Sequence, residues 1–273
     1  MRNHILLVAA VLLSFPQAAH AAKPAKKAPA KAAQKTAAAP EEKSAKSQIL
    51  NDAWYTMQSG SSPWGYFHEI IEKRDGRYLY RYEMTKREKA VLFQESLGAV
   101  AEENLTPVAF NLTKAGENAT EIVNGTYARE KTSGVMNIDV KGARVAALKR
   151  HIADGTILEV FFPVWLVQRW DKLKPGYRGR VRVFTEDPAR DEFIARPVSF
   201  TVKGPDAKDG CTEINIEMEN TRSLWCMTSA GSLVRMDING RQAQIRRASS
   251  EQEAKAFLDA SGGAGKTVRN VSE

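Results

Sequence analysis

Apolar and polar residues alternate with a period of two along most of the chain from residue 52 onward. The clearest case sets the apolar Tyr78, Tyr80, Tyr82 and Met84 against Leu79, Arg81, Glu83 and Thr85, and the pattern recurs at 135–140 and 213–218. Such alternation is typical of strands with one dry face and one wet face. Turn-forming pairs stand at Asp75-Gly76, Asn124-Gly125 and Asn239-Gly240. Strands without long helices between them predict a mainly β fold: a large curved antiparallel sheet or open β-barrel.

One segment in the middle of the chain has a helical pattern instead. Pro163 suits a first helical turn, and Lys174-Pro175-Gly176 is typical of a helix end. Between them, Trp165, Leu166, Arg169, Trp170 and Leu173 follow helical spacing, and all of these except Arg169 are apolar or aromatic. We expect this amphipathic helix to pack in the concave face of the sheet. A barrel of about a dozen strands cannot fill its own interior, so either the helix plugs it or a cavity remains.

The two cysteines, Cys211 and Cys226, flank a predicted hairpin. A register with Cys211 directly opposite Cys226 would pair Glu217 with Asn220 and allow a disulfide. A tighter turn centred on Asn220-Thr221 would set the cysteines four positions out of step, beyond the bridging limit of about 7 Å between Cα atoms. The spacing therefore predicts a structural disulfide and the first register. The chain has no Cys-x-x-Cys pair that would favour redox catalysis.

The N-terminal region predicts export. Residues 1–21 have the polar start, short apolar run and small residues at 19 and 21 that are typical of a cleaved signal peptide. Residues 22–47 contain ten Ala, seven Lys and three Pro, which predicts a disordered linker. We expect a β-barrel-like domain over 48–250 and a short helix with a disordered tail over 251–273, the helix running from Glu251 to Leu258. The expected compartment is the periplasm, with no transmembrane segment after cleavage.

Charge changes the list of expected partners only slightly. The formal net charge is +8, but most of the excess belongs to the lysines of the linker, so the remaining domain is nearly neutral. Behind a signal peptide, a basic linker favours a solvated spacer, or contact with anionic headgroups or cell-wall polymers, over nucleic acid. We therefore expect no nucleic-acid partner.

Aromatic side chains are the strongest candidates for a binding site, although core packing is the alternative interpretation for each. We place them on the inward face, where they would line an apolar cavity able to hold acyl chains. A basic rim of Arg178, Arg180 and Arg182 would face either lipid phosphate or water. The cavity candidates are Trp54, Trp64, Tyr66, His68, Phe162, Trp165, Leu166, Arg169 and Trp170.

The sequence carries no motif for a reaction. It lacks HExxH and Gly-x-Ser-x-Gly, and Gly265-Lys266-Thr267 lacks the first glycine of a phosphate-binding loop. His68 beside Glu69 is the strongest candidate for acid–base chemistry, yet neighbours on a strand point to opposite faces. We therefore expect no catalytic residue, no metal site, no cofactor and no enzymatic activity.

Several segments resemble known bacterial envelope proteins. Trp54-Tyr55 followed by Trp64-Gly65-Tyr66-Phe67-His68-Glu69 is similar to the start of a β domain that precedes transglutaminase-like modules. The layout of strands with one inserted helix resembles the LolA and LolB lipoprotein carriers. The stretch from Gly155-Thr156 to Phe162-Pro163 resembles EipB, an envelope-integrity protein with a spiral β-barrel and a disulfide. No lipid-binding residue of the carriers is transferred to this chain.

Together these observations favour a periplasmic binding protein for a lipid, a lipidated protein or a peptide. The first alternative is an envelope adaptor that binds a protein partner through an exposed apolar patch. The second is a hydrolase that uses His68.

Overall fold

The computed structural model describes residues 47–260 except 89–90, 117–118, 131–132, 143–144, 188–191 and 220. The predicted leader, nearly all of the predicted linker and the tail after residue 260 lie outside the described residues. The strands are β1 (Ser47–Ser59), β2 (Ser62–Arg74), β3 (Arg77–Glu88), β4 (Val91–Glu102), β5 (Pro107–Ala115), β6 (Thr120–Arg129), β7 (Ser133–Lys141), β8 (Ala146–Ala153), β9 (Ile157–Leu158), β10 (Arg178–Asp187), β11 (Glu192–Asp206), β12 (Cys211–Met218), β13 (Thr221–Met227), β14 (Leu233–Ile238) and β15 (Ala243–Ala248). The helices are α1 (Phe162–Val167) and α2 (Glu251–Asp259), with 3-10 turns at Glu159–Phe161 and Trp170–Lys172.

All fifteen described strands belong to one sheet that does not close on itself. Their order is β8-β7-β6-β5-β4-β3-β2-β1-β15-β14-β13-β12-β11-β10-β9. Neighbouring strands run antiparallel, except that β9 pairs in parallel with β10. The sheet therefore consists of two meanders that the β1/β15 pair joins. The prediction of a curved, mainly antiparallel sheet is confirmed.

The alternation with a period of two in the sequence corresponds to the alternation of side chains between the inner and outer faces of the sheet. On β3 the inner face carries Tyr78, Tyr80, Tyr82 and Met84, each 6% exposed or less. Arg81, between them, is exposed on the outer face. Successive strand side chains point to opposite faces, so the alternation places one row of aromatic rings in the core.

The predicted turn pairs have different outcomes. Asp75 and Gly76 join β2 to β3 with φ of 51° and 74°, the left-handed backbone that a two-residue turn of type I′ requires. Asn124-Gly125, in contrast, lies inside β6, so the predicted turn there is wrong. The physical reason is packing, because the ring of Phe110 lies where a Cβ of Gly125 would be.

The disulfide between Cys211 and Cys226 is present, but the predicted register is wrong by two residues. Cys226 lies opposite Glu213, and Cys211 pairs with Asp206 on β11. The bridge therefore runs diagonally, with 5.4 Å between the two Cα atoms. The turn explains the shift, because Met218 pairs with Thr221 and leaves only two residues between the strands. A shift of two keeps each side chain on its predicted face.

The predicted central helix is shorter than its sequence pattern. α1 ends at Val167, and the 3-10 turn at Trp170–Lys172 continues the segment after Arg169 leaves helical geometry (φ −125°, ψ 15°). We call residues 159–173 the central segment. It packs inside the sheet: the ring of Phe161 contacts Tyr80 of β3, and the ring of Phe162 contacts Phe200 of β11 and Trp225 of β13. The central segment thus contacts both meanders, as the prediction of a helix in the concave face requires.

The end of the sheet formed by β9, β10 and β11 buries side chains on both faces. On one face, Phe184 and Phe193 pack against Phe110 of β5. On the other face, Phe200 packs against the central segment. Arg150 of β8 also donates a hydrogen bond from Nε to the carbonyl oxygen of Phe193, at 3.2 Å. Side chains thus connect the two ends of the sheet where strand pairing does not.

α2 covers part of the outer face. Its N-cap is Ser250, whose side chain accepts a hydrogen bond from the backbone N–H of Glu253. The helix packs on β1 and β2, and its buried side chains are Ala254 and Leu258. Neither α2 nor any other helix between residues 47 and 260 combines the length and apolar composition needed to cross a bilayer.

Candidate functional site

A cavity of about 170 Å³ lies inside the sheet. Strands β1 to β5 form one side of it, and the central segment with β10, β11, β13 and β14 forms the other. Aromatic rings supply much of the wall: Tyr55, Phe67, Tyr80, Tyr82, Phe110, Phe184, Phe193 and Trp225. An engineered apolar cavity of about 150 Å³ binds benzene. The volume therefore suits one ring or a short alkyl chain, and a whole acyl chain exceeds it.

Four glutamates line this otherwise apolar cavity: Glu69, Glu95, Glu159 and Glu186. They come from β2, β4, the central segment and β10, so they are far apart in the sequence. None of the four was predicted from the sequence as a cavity residue. The sequence does contain a signal for three of these glutamates, because each is a charged residue whose neighbours on the same strand face or in the same run are apolar. Glu69 lies between Phe67 and Ile71, Glu95 between Phe93 and Leu97, and Glu159 in the run from Ile157 to Phe162.

Glu69 is held in a network of neutral hydrogen-bond donors. The side-chain amide of Asn51 donates to its Oε2 at 2.7 Å, and the hydroxyl of Ser232 donates to Oδ1 of Asn51 at 3.1 Å. Burial raises the pKa of Glu69 to about 7, and the hydrogen bonds from Tyr80 and Asn51 oppose this shift. The carboxyl group is therefore partly protonated near neutral pH.

Glu95 and Glu186 lie near the side chains of two lysines, the buried Lys86 and the partly buried Lys114. Nζ of Lys114 is 2.5 Å from Oε1 of Glu186. Burial raises the pKa of Glu95 to about 7, Lys114 and Lys86 lower it, and Glu186 raises it further. This side of the cavity thus has positive charge close to its carboxylates.

Glu159 has an oxygen that is not satisfied. Its Oε2 accepts a hydrogen bond from the hydroxyl of Thr185. Its Oε1 is buried and has no hydrogen-bond partner within the described residues. Burial raises the pKa of Glu159 to about 7, while the Thr185 hydrogen bond and the charge of Arg196 lower it. The guanidinium of Arg196 lies 3.3 Å from Oδ2 of Asp187 and 3.2 Å from Oε2 of Glu219, so Glu159 shares this positive charge with two other carboxylates.

The candidates predicted on β1 and β2 lie away from the cavity. Trp54, Tyr66 and His68 point to the outer face, because the inner positions are Tyr55, Phe67 and Glu69. The inward placement of these three side chains is therefore wrong. The physical reason is that aromatic residues occupy both faces here, and α2 packs on these two strands.

The outer residues form a small cluster of their own. The rings of Trp54 and His68 stack with centroids 4.4 Å apart, and Nε2 of His68 is 2.7 Å from Oδ1 of Asp52. Trp64 stands at a register shift in β2 and packs partly buried against the core, away from the cavity lining. The carboxylate partner of His68 is thus Asp52 and not Glu69.

The candidates predicted on the central segment support the cavity without lining it. Phe162 and Leu166 are buried in the core, and Trp165 and Trp170 pack against it half-buried. The guanidinium of Arg169 lies 4.1 Å from the ring centroid of Trp165. The residues of this segment that do line the cavity are Glu159, Val160 and Pro163, and Leu158 of β9 lines it just before the segment begins. The sequence thus located the segment but selected the wrong side of it.

The described residues offer little for a metal ion. The donor atoms grouped closely enough belong to Asp206, Cys211 and Cys226. The disulfide removes both thiolates from this set.

The comparisons with known proteins concern the fold. No family model matches the chain, and no curated protein matches it. A crystal structure of a beta-barrel-like protein of the domain of unknown function DUF1849 from Brucella abortus superposes with a TM-score of 0.53. It has 12% identity and covers 72% of this chain and 93% of that one. A DUF1089 family protein from Pseudomonas aeruginosa superposes with a TM-score of 0.39, at 12% identity, over 62% of this chain and 87% of its own.

The chain therefore has a β-barrel-like fold of the DUF1849 kind. Because that fold is EipB-like, it agrees with one of the three resemblances seen in the sequence. Neither of the two solved structures is a LolA or LolB carrier, so the carrier resemblance stays a prediction.

Proposed function

We propose that this protein is a non-enzymatic binding protein of the periplasm, whose cavity takes up the apolar part of a small amphiphilic ligand. The observation that carries the proposal is the aromatic-lined cavity between the central segment and the inner face of the sheet. Concave sites with mostly apolar walls and a few polar groups are typical of ligand pockets. A lipid, a lipidated protein or a peptide would place one ring or short chain there, or displace the central segment.

Two observations support the compartment and the absence of chemistry. The Cys211–Cys226 disulfide favours an oxidising environment, as the predicted signal peptide does. The hydrolase alternative needs His68 and Glu69 in one cleft, and they lie on opposite faces of β2, with Glu69 in the cavity.

The adaptor alternative has weaker support. It requires a continuous exposed apolar patch. The large hydrophobic side chains exposed within the described residues stand on separate strands and loops: Ile49, Leu92, Ile122, Val145 and Tyr177. Scattered residues of this kind are normal on a monomer surface.

A pair of leucine substitutions tests the proposal. Leu97 of β4 lines the cavity, so Leu97→Trp fills part of it. Leu79 is on the outer face of β3, the neighbouring strand, and Leu79→Trp is the matched control. We expect saturable binding of benzyl alcohol, measured by ligand-observed NMR, in the wild type and the control, and at least a tenfold loss in Leu97→Trp.

Native mass spectrometry of protein purified without detergent provides the complementary measurement. A copurified ligand should be present in the wild type and depleted in Leu97→Trp. Equal binding of benzyl alcohol by Leu97→Trp and Leu79→Trp would contradict the proposal. The absence of binding by the wild type at concentrations up to about 10 mM, where weak fragments still bind, would contradict it as well.

A further inference from the structure

The charges around the cavity are unevenly distributed. Glu186 is paired with Lys114, and Glu95 lies near Lys114 and Lys86. Glu69 receives its hydrogen bonds from Asn51 and Tyr80, which are neutral. The other ionisable groups beside these carboxyls are Tyr55, Tyr82, His68, Glu121, Asp187, Arg196 and Glu219.

Among the four cavity glutamates, Glu159 has a buried carboxylate oxygen that receives no hydrogen bond within the described residues. Its Oε1 is buried and lacks a donor within the described residues, and its side chain belongs to the cavity lining. The nearby Arg196 is 3.3 Å or less from oxygens of Asp187 and Glu219. A buried carboxylate oxygen without a donor is costly, so a ligand that brings a donor gains the interaction that the protein lacks.

The volume restricts what can bring that donor. A cavity of about 170 Å³ holds a group close to the size of a benzene ring, which binds in about 150 Å³. Aromatic rings surround most of the space, and rings favour both apolar groups and cations. A ligand with one ring or a short alkyl chain, joined to a cationic nitrogen, therefore satisfies the shape and the charge together.

We propose that the cavity binds a small apolar amine, whose ammonium group donates a hydrogen bond to Oε1 of Glu159. This proposal rests on the binding function proposed above. The apolar part contacts the rings of Tyr80, Phe110 and Trp225. The ligand is bound without a covalent step, and the ammonium keeps its proton. The site then selects for a positive nitrogen attached directly to a compact apolar group.

The experiment compares benzylamine, benzyl alcohol and benzoate, which share the ring and differ in the polar group. Binding to the full oxidised chain is measured by ligand-observed NMR and calorimetry at pH 8, in buffer without amines. We expect benzylamine to bind at least tenfold more tightly than benzyl alcohol, and benzoate to bind least. In Glu159→Gln the preference for benzylamine over benzyl alcohol should fall below threefold. Glu83→Gln, on the exposed outer face of β3, is the matched control.

The same comparison at pH 5 uses the wild-type protein and so does not depend on the folding of a variant. Protonation of Glu159 should then remove most of the preference, because benzylamine stays charged while its acceptor becomes neutral. If benzyl alcohol binds as tightly as benzylamine at pH 8, the amine proposal is overturned and the binding function stands. If none of the three compounds binds, the binding function fails as well.

Discussion

Replacing Glu159 by Gln should change how the stability of the protein depends on pH. The pKa of Glu159 is about 7 in the folded protein and 4.5 as its ordinary value. Below pH 4.5 the group is protonated in both states, so its contribution to stability is fully present. As the pH rises toward 7, the unfolded chain releases its proton first and this contribution is lost. At about 1.4 kcal/mol per pH unit, the loss is about 3 kcal/mol by pH 8.

The glutamine variant has no proton to release at this position, and its amide oxygen can still accept from Thr185. We therefore expect wild type and Glu159→Gln to have similar free energies of unfolding at pH 4.5. The variant should become more stable than the wild type by up to about 3 kcal/mol at pH 8. Glu69 and Glu95 have pKa values raised in the same direction, but they remain in both proteins, so their effects largely cancel in the difference.

Urea unfolding followed by tryptophan fluorescence, at half-unit steps from pH 4.5 to 8, measures the difference directly. Glu103→Gln is the control, because the pKa of Glu103 is shifted in the opposite direction to that of Glu159. Glu103 is exposed and its hydrogen bond from Lys73 lowers its pKa, so its small contribution is present at neutral pH and lost on acidification. Parallel curves for the wild type and Glu159→Gln would refute the assignment of Glu159 as a carboxyl buried without adequate compensation.

Two further predictions concern the fold. Replacing both Cys211 and Cys226 by Ala should lower the free energy of unfolding by about 3 kcal/mol, because the bridge closes a loop with a sequence separation of 15 residues. Urea unfolding with and without reductant measures this loss. A wild-type protein whose stability does not change on reduction would contradict the prediction. Gly125→Ala should cost about 1–3 kcal/mol, since the ring of Phe110 occupies the position of the new Cβ. Gly98→Ala, where a Cβ meets no atom within 4 Å, should change stability by less than about 0.5 kcal/mol, and equal effects of the two substitutions would count against the packing argument.

Local patterns in the sequence determined most of the strands, the two faces of β3 and the kind of fold. The alternation around Tyr80 is a property of neighbouring residues, because strand geometry alone sends successive side chains to opposite sides. The turn at Asp75-Gly76 is local in the same sense. The disulfide followed from two cysteines beside one hairpin, although the turn between them moved the register by two residues.

The tertiary structure alone decided which face of β1 and β2 is inside. Both faces are aromatic there, and the choice depends on α2, which follows the last strand and packs on the outer side. It also decided the site. Glu69, Glu95 and Glu159 each carry only a weak local signal, and their meeting depends on strand order and on how the central segment lies across the sheet. A cavity and the pKa values inside it are consequences of long-range packing and desolvation, which no short stretch of sequence encodes.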